Sequence, residues 1–215
     1  MVIGTAVGLF FSDYILAFIS ERFSGSEQPS LALLYPTEGF VVRMKLGFVA
    51  ALFVMSPLWF GQIWGFIKPG LYANEKRVVI PIIFASSGVF ILGAAFGYYI
   101  LPIAANYFKS LAPADVAVYW SLAKYVDFAL RILIAFGVVF ELPLIIFALA
   151  KLGIVQPHHL RKYRRQAYVG VLVTAAIITP PDLFTQVILA VPLVILYEVG
   201  ILMAVVAGKP KKANK

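Results

Sequence analysis

The chain has 215 residues, of which 62% are hydrophobic and 13% are charged, and its mean hydropathy is +0.93. This balance is too apolar for a soluble domain of that length, so the sequence predicts an integral membrane protein with a single transmembrane domain over residues 1–215. The absence of cysteine excludes disulfide frameworks and thiolate metal sites. The formal net charge of +8 is explained better by membrane topology than by nucleic-acid binding.

Six apolar runs, separated by clusters of charged residues, proline and glycine, predict an all-α protein with six transmembrane helices. A helix needs about 20 apolar residues to cross the hydrocarbon core. The fifth run is clearly shorter than that, and we expect short fifth and sixth spans. The runs are Met1 to about Phe18, Phe40–Ile63, Val78–Leu101, Phe128–Leu149, Ala167–Ile178 and Phe184–Val206.

The distribution of basic residues predicts the orientation of these spans. The connectors after the second and fourth runs and the C-terminal tail carry three, five and four of the 18 basic residues. The opposite connectors carry only Arg22, Lys109 and Lys124. Because basic residues collect in cytoplasmic loops, the tail should be cytoplasmic, and an even number of crossings places the N-terminus there too.

The first run has an acidic residue inside it. If Asp13 marks the outer interface, only 12 residues precede it, so we expect that Met1 is not the natural start and that an N-terminal cytoplasmic segment is missing. The run has no basic flank and no small-residue cleavage pattern, which argues against a removable signal peptide.

Glu141 is the residue that most strongly suggests a function. It lies 13 residues into the fourth run, where an ionised carboxylate is costly, and Pro143 favours a kink beside it. An intramembrane acid is by default a functional-site hypothesis, although a protonated glutamate that is hydrogen-bonded inside the bundle would also fit.

Two connectors present further polar groups. Residues 66–77 form a cytoplasmic turn in which exposed aromatic rings beside Glu75 would suit a basic peptide, although interfacial anchoring explains the same residues. At the outer ends of spans five and six, Thr179, Asp182, Thr185 and Gln186 should lie together. These side chains could bind a neighbouring helix, and Asp182 should cap span six.

The sequence has none of the motifs expected of an enzyme or a metal site. It lacks HExxH, GxSxG and a Walker loop, and the adjacent His158 and His159 cannot share a metal on a helix, so we expect neither catalysis nor a cofactor. A proton-coupled small-solute transporter in which Glu141 titrates is the main alternative to a receptor, and a purely structural scaffold is a third.

Four ordered motifs resemble the TatC family, the multispan receptor subunit of the twin-arginine protein translocase. The match extends over nearly the whole chain, although the family's N-terminal His-Leu-x-Glu-Leu-Arg pattern is absent. The motifs are Pro36-Thr37-Glu38 outside span two, the loop from Phe66 to Arg77, Phe136 to Pro143 in span four, and Thr179-Pro180-Pro181-Asp182 with Gln186.

The resemblance implies a receptor that recognises twin-arginine signal peptides of folded proteins, docks single-span TatA/TatB-type partners and self-associates in a prokaryotic plasma membrane. Phe66 and Glu75 would take part in signal recognition, and Glu141 would lie in a concave, membrane-embedded face. The candidate signal-binding residues are Phe66, Pro69, Leu71, Tyr72, Glu75 and Arg77. The candidate docking residues are Glu141, Thr179, Pro181, Asp182 and Gln186, and the external motif is Pro36, Thr37 and Glu38.

Overall fold

The computed structural model describes residues 8–21, 30–67, 79–113, 119–151, 153–179 and 182–207. Most of these residues are helical, in agreement with the predicted fold class. The helices are α1 (Ser12–Glu21), α2 (Glu38–Val54), α3 (Ser56–Ile67), α4 (Val79–Ser110), α5 (Leu122–Phe140), α6 (Leu142–Lys151), α7 (Pro157–Lys162), α8 (Arg164–Ile178) and α9 (Leu183–Ala207).

Three helical segments of the described chain are long and apolar enough to cross a membrane. A fourth is added if the bent α2–α3 pair forms one span. The three are Ile80–Ser110, the combined α5–α6 segment Leu122–Lys151, and α9. In the described residues α1 has 10 residues and α8 has 15, which is below the length of an ordinary span.

The predicted lengths of the last two spans had different outcomes. Helix α8 rises only about 22 Å, which agrees with the expected shortness of the fifth apolar run. The expectation of a short sixth span is wrong, because α9 has 25 residues and rises about 37 Å, more than the hydrocarbon thickness. Pro192 lies inside α9 without ending it.

Helix α4 also continues beyond its predicted end at residue 101. It extends to Ser110, so that the connector predicted over residues 102–127 begins as helix. Leu101, Ala104 and Ala105 are almost fully buried there, and this packing stabilises the helix past Pro102.

The α2–α3 pair is bent by 54° at Met55. Pro57 follows the bend, and its missing N–H weakens a continuous helical ladder at this point. Ser56 at the bend is fully buried, and its hydroxyl has no hydrogen-bond partner among the described residues. The bend directs α3 toward α4 and creates one wall of the cavity described below.

Helix α5 forms the centre of the bundle, and its buried face includes Val126, Ala129, Ile132 and Phe136. It packs against α4 and α2, and α6 packs against α9. Gly93 of α4 meets the backbone of α5 at Phe136, so the two helices approach closely where a side chain is absent.

A short pair of strands was not predicted from the sequence. β1 (Ser30–Ala32) pairs in parallel with β2 (Tyr119–Ser121), with Leu31 opposite Trp120. The pair joins the segment before α2 to the segment before α5, and so holds the starts of these two helices together.

Candidate functional site

Glu141 lies at the junction between α5 and α6 within one long apolar segment. Pro143 has no N–H to donate to the carbonyl of Val139, and the backbone N–H of Glu141 bonds back to Val138 at 3.2 Å. The helix resumes at once, because Ile145 N–H donates to the Glu141 carbonyl at 2.8 Å. The predicted local irregularity beside the acid is therefore present as a one-residue break.

The Glu141 side chain is buried, with 4% of its surface exposed. Ser86 of α4 is hydrogen-bonded to its carboxyl group, and the indole N–H of Trp64 in α3 donates to the Ser86 hydroxyl at 3.3 Å. The other carboxyl oxygen, Oε1, has no partner among the described residues. The acid is therefore held by a polar chain from two neighbouring helices, with one acceptor left unsatisfied.

A cavity of about 370 Å³ opens beside this carboxyl group. Its walls are almost entirely apolar and come from α3, α4, α5 and α6, together with Ile154 after α6. Such a cavity suits an apolar segment that can also donate a hydrogen bond. The lining residues are Trp59, Phe60, Ile63, Trp64, Ser86, Val138, Glu141, Ile145, Ala148, Leu149 and Ile154.

Sequence reasoning identified Glu141 but missed Ser86 and Trp64, which fix its position. Ser86 and Ser87 are adjacent polar residues inside an otherwise apolar run, and that pattern could have drawn attention to them. Ser86 is 1% exposed and faces the acid, whereas Ser87 bonds to the Ile83 carbonyl of its own helix at 3.0 Å.

The start of α9 carries the predicted cap. Asp182 accepts a hydrogen bond from the Thr185 backbone N–H at 2.8 Å and another from the Thr185 hydroxyl, which confirms the capping prediction. The amide of Gln186 donates to the Leu172 carbonyl of α8 at 3.1 Å, and Thr179 bonds to its own helix at Ala175. Gln186 therefore links α9 to α8, while the bonds of Thr179 and Asp182 stay within the helix ends that carry them, and Pro181 is outside the described residues.

The external motif centres on Glu38, which is 5% exposed although it is acidic. Its carboxylate accepts hydrogen bonds from the Leu34 N–H at 2.6 Å, the Ala123 N–H at 2.8 Å and the Tyr35 N–H at 3.3 Å, and also from the Ser121 hydroxyl. Pro36 and Thr37 are exposed in the preceding turn. Glu38 thus joins the segment before α2 to the start of α5, on the side of the molecule that carries the strand pair.

The predicted signal-recognition loop is described only at its beginning. Phe66 lies in the last turn of α3 and is 88% exposed. The other candidates, Pro69, Leu71, Tyr72, Glu75 and Arg77, lie outside the described residues.

Two other acids, Asp127 and Glu198, form ion pairs with residues of neighbouring helices. Asp127 and Arg131 have the i, i+4 spacing that favours an ion pair on a helix, but the Asp127 carboxylate lies 2.6 Å from Lys45 Nζ instead. Glu198 binds Arg164 at 2.5 Å and the Tyr168 hydroxyl at 2.6 Å, both from α8. Within the described segments no group of three His, Asp or Glu residues is arranged to hold a metal ion.

Long apolar helices around a buried carboxyl group define an α-helical membrane protein, and comparison with known proteins identifies its kind. The family model of the Sec-independent protein translocase protein (TatC) matches residues 1–192. The chain therefore belongs to the TatC family, whose members are components of a protein translocase and not enzymes.

Individual relatives agree with the family assignment. The Sec-independent protein translocase protein TatC of Helicobacter pylori (strain J99 / ATCC 700824) is 40% identical over 202 residues, covering 94% of this chain and 80% of that protein. The TatC of Aquifex aeolicus (strain VF5) is 35% identical over 215 residues, covering 98% and 89%. A solved structure, "Crystal Structure of Twin Arginine Translocase Receptor- TatC", superimposes with a TM-score of 0.86 at 34% identity over 96% of this chain and 92% of that one.

Proposed function

We propose that this chain is the twin-arginine signal receptor of its translocase. It crosses the plasma membrane of a prokaryote six times, with both termini in the cytoplasm. It binds the signal peptides of folded proteins, docks TatA/TatB-type single-span partners and associates with further copies of itself. The family assignment, and the description of the similar solved structure as a twin-arginine translocase receptor, support this proposal.

The observation that carries the proposal is the cavity beside Glu141. A carboxyl oxygen without a partner at membrane depth is costly, so the site gains free energy when an incoming group donates a hydrogen bond to it. The surrounding walls, which include Trp59 and Trp64, are apolar. A signal peptide has an apolar stretch that would fill such a cavity, whereas a soluble, strongly polar ligand would not.

Helix α3 connects the cavity to the proposed recognition loop. Trp59 lines the cavity and Phe66 lies seven residues later, which places both on one face of α3 about 10 Å apart along its axis. Glu75 would pair with an arginine of the signal peptide, and the exposed Phe66 ring would stack on the guanidinium group of that arginine. The apolar part of the signal then follows α3 to the cavity.

Single-span partners would dock at the junction of α8 and α9. Helix α8 is too short to cross an unperturbed bilayer, so the polar groups at its end, Thr179, Asp182 and Gln186, would lie deeper than those of a full span. A polar side chain on a single-span partner would exchange hydrogen bonds with them there.

Site-specific photocrosslinking in membranes tests signal recognition. A photoreactive residue at position 66 or 75 should crosslink to a twin-arginine signal peptide and not to a twin-lysine peptide. A probe at Val206, which is 80% exposed near the end of α9, serves as the control and should give no arginine-dependent product. If positions 66, 75 and 206 behave alike in correctly inserted protein, the receptor assignment is wrong.

The transporter alternative depended on Glu141 alone. Neither the family model nor the relatives described above is a small-solute transporter. The unsatisfied carboxyl oxygen is accounted for by the receptor proposal, so no separate observation favours solute transport.

A further inference from the structure

A second recess, the α2–α5 groove, lies between the N-terminal halves of these helices and has a volume of about 450 Å³. It is on the side of the bundle that carries the β1–β2 pair. These strands lie in the connectors after the first and third apolar runs, which the distribution of basic residues predicts to be external. Phe48 and Ile134 contribute apolar wall, and Lys45, Asp127 and Arg131 contribute charge. Nothing in the receptor proposal uses this groove.

The charges in the groove do not balance. Lys45 and Asp127 neutralise each other, with 2.6 Å between Nζ and Oδ1. Arg131 is exposed and forms no ion pair with any residue that the structure describes. The groove therefore carries one excess positive charge, a guanidinium beside an apolar wall.

The depth of Arg131 favours a ligand from the membrane. It lies three residues inside the predicted fourth span, Phe128–Leu149, where an arginine is tolerated if its side chain reaches the headgroup layer. A guanidinium at that level matches a phosphate in charge and geometry, because it can donate two parallel hydrogen bonds.

The groove also leads toward the Glu141 cavity. Arg131, Ile134, Val138 and Glu141 are spaced by three, four and three residues, which places them on one face of the α5 helix and the turn that follows it. The ten helical steps from residue 131 to residue 141 span about 15 Å. An acyl chain that starts at the level of Arg131 can lie along this face and reach the mouth of the cavity.

We propose that the α2–α5 groove binds one anionic phospholipid of the external leaflet. Its phosphate pairs with Arg131, Lys45 flanks the headgroup, and one acyl chain packs on Phe48 and Ile134. The excess positive charge selects a headgroup with net negative charge, such as phosphatidylglycerol, over phosphatidylcholine, whose headgroup has no net charge. This site does not depend on signal-peptide recognition.

Native mass spectrometry of the full chain tests the site. The protein is released from a neutral detergent that contains equal amounts of phosphatidylglycerol and phosphatidylcholine. The unmodified protein should retain phosphatidylglycerol in preference. Arg131→Gln should lower that preference roughly fivefold, the effect of one basic residue near a charged membrane surface. Arg165→Gln, the same change at an exposed position of α8, is the matched control and should leave the preference unchanged.

A second variant separates lipid binding from misfolding. Ile134→Trp fills the groove and keeps every charge, so it should also reduce lipid retention while the melting temperature stays close to that of the unmodified protein. Millimolar inorganic phosphate should not displace the lipid, because a free anion lacks the acyl chain. Equal retention of both lipids, equal losses in Arg131→Gln and Arg165→Gln, or displacement by phosphate alone would overturn the proposal.

Discussion

The indole N–H of Trp64 and the hydroxyl of Ser86 are joined by a hydrogen bond of 3.3 Å between helices α3 and α4. Ser86 is in turn hydrogen-bonded to Glu141, so three segments of the bundle meet in one buried polar chain. Buried polar groups rigidify a core when they are satisfied and destabilise it when they are not. These hydrogen bonds fix the orientation of the Glu141 side chain, and they leave one carboxyl oxygen available to a ligand.

Removal of the Ser86 hydroxyl should destabilise the protein. Ser86→Ala leaves both the Trp64 N–H and the Glu141 carboxyl without this partner, and we expect a loss of about 1–3 kcal/mol in the free energy of unfolding. Denaturant unfolding in detergent measures it. Ser87→Ala is the matched control, since Ser87 bonds only to a carbonyl of its own helix, and it should cost less than half as much. Equal losses in the two variants would show that the hydrogen bonds of Ser86 with Trp64 and Glu141 add no extra stability.

Substitution of Glu141 should affect export more than insertion. Glu141→Leu removes the acceptor that the cavity offers, and we expect export of a twin-arginine reporter to fall at least tenfold in intact cells. Glu141→Gln keeps a carbonyl acceptor and should retain part of the activity. Glu198→Gln is the control, because Glu198 binds Arg164 and Tyr168 away from the cavity. Normal export by Glu141→Leu at normal membrane levels would contradict the role of the cavity.

Sequence patterns predicted the helical class and the position of Glu141, because apolar runs and an isolated intramembrane acid are local signals. They did not predict that α4 continues to Ser110, since burial of Leu101 and Ala105 comes from contacts with distant segments. The length of span six was misjudged, although its apolar run was found with nearly the correct ends.

Pairing partners were harder to predict than elements. An i, i+4 spacing favoured Asp127 with Arg131, but the packing of α2 against α5 brings Lys45 closer, from 82 positions earlier. The bonds between Glu38 and the residues around Ser121 are equally distant in sequence. Such contacts depend on the register between helices, which a single sequence does not reveal.

The charge of Glu38 as well as its position should stabilise the side of the bundle that carries the β1–β2 pair. Four donors converge on its carboxylate, and Glu38→Gln replaces one acceptor oxygen with an NH₂ group that faces donors. We expect a measurable loss in the free energy of unfolding, because hydrogen bonds to a charged group are strong and the substitution breaks part of this set of partly buried bonds.

A double-mutant cycle with Ser121→Ala checks this assignment. If Glu38 acts through Ser121, the two substitutions should couple by about 0.5–3 kcal/mol. Ser110→Ala gives a suitable control pairing, since the Ser110 hydroxyl bonds to Tyr107 of its own helix and should show no coupling with Glu38. Strict additivity between positions 38 and 121 would contradict the bonding described for this motif.

The close contact of α4 with α5 predicts that Gly93 does not tolerate a side chain. A Cβ atom at position 93 would lie 2.5 Å from the Phe136 carbonyl oxygen, which belongs to the backbone and cannot move without shifting α5. We therefore expect Gly93→Ala to lower the free energy of unfolding by about 1–3 kcal/mol, as overpacking does. Gly61→Ala in α3 is the control, because no atom lies within 4 Å of its added Cβ. Since alanine favours helix over glycine, Gly61→Ala should be neutral or slightly stabilising. If the two variants unfold at the same denaturant concentration, α4 and α5 do not pack as closely as described.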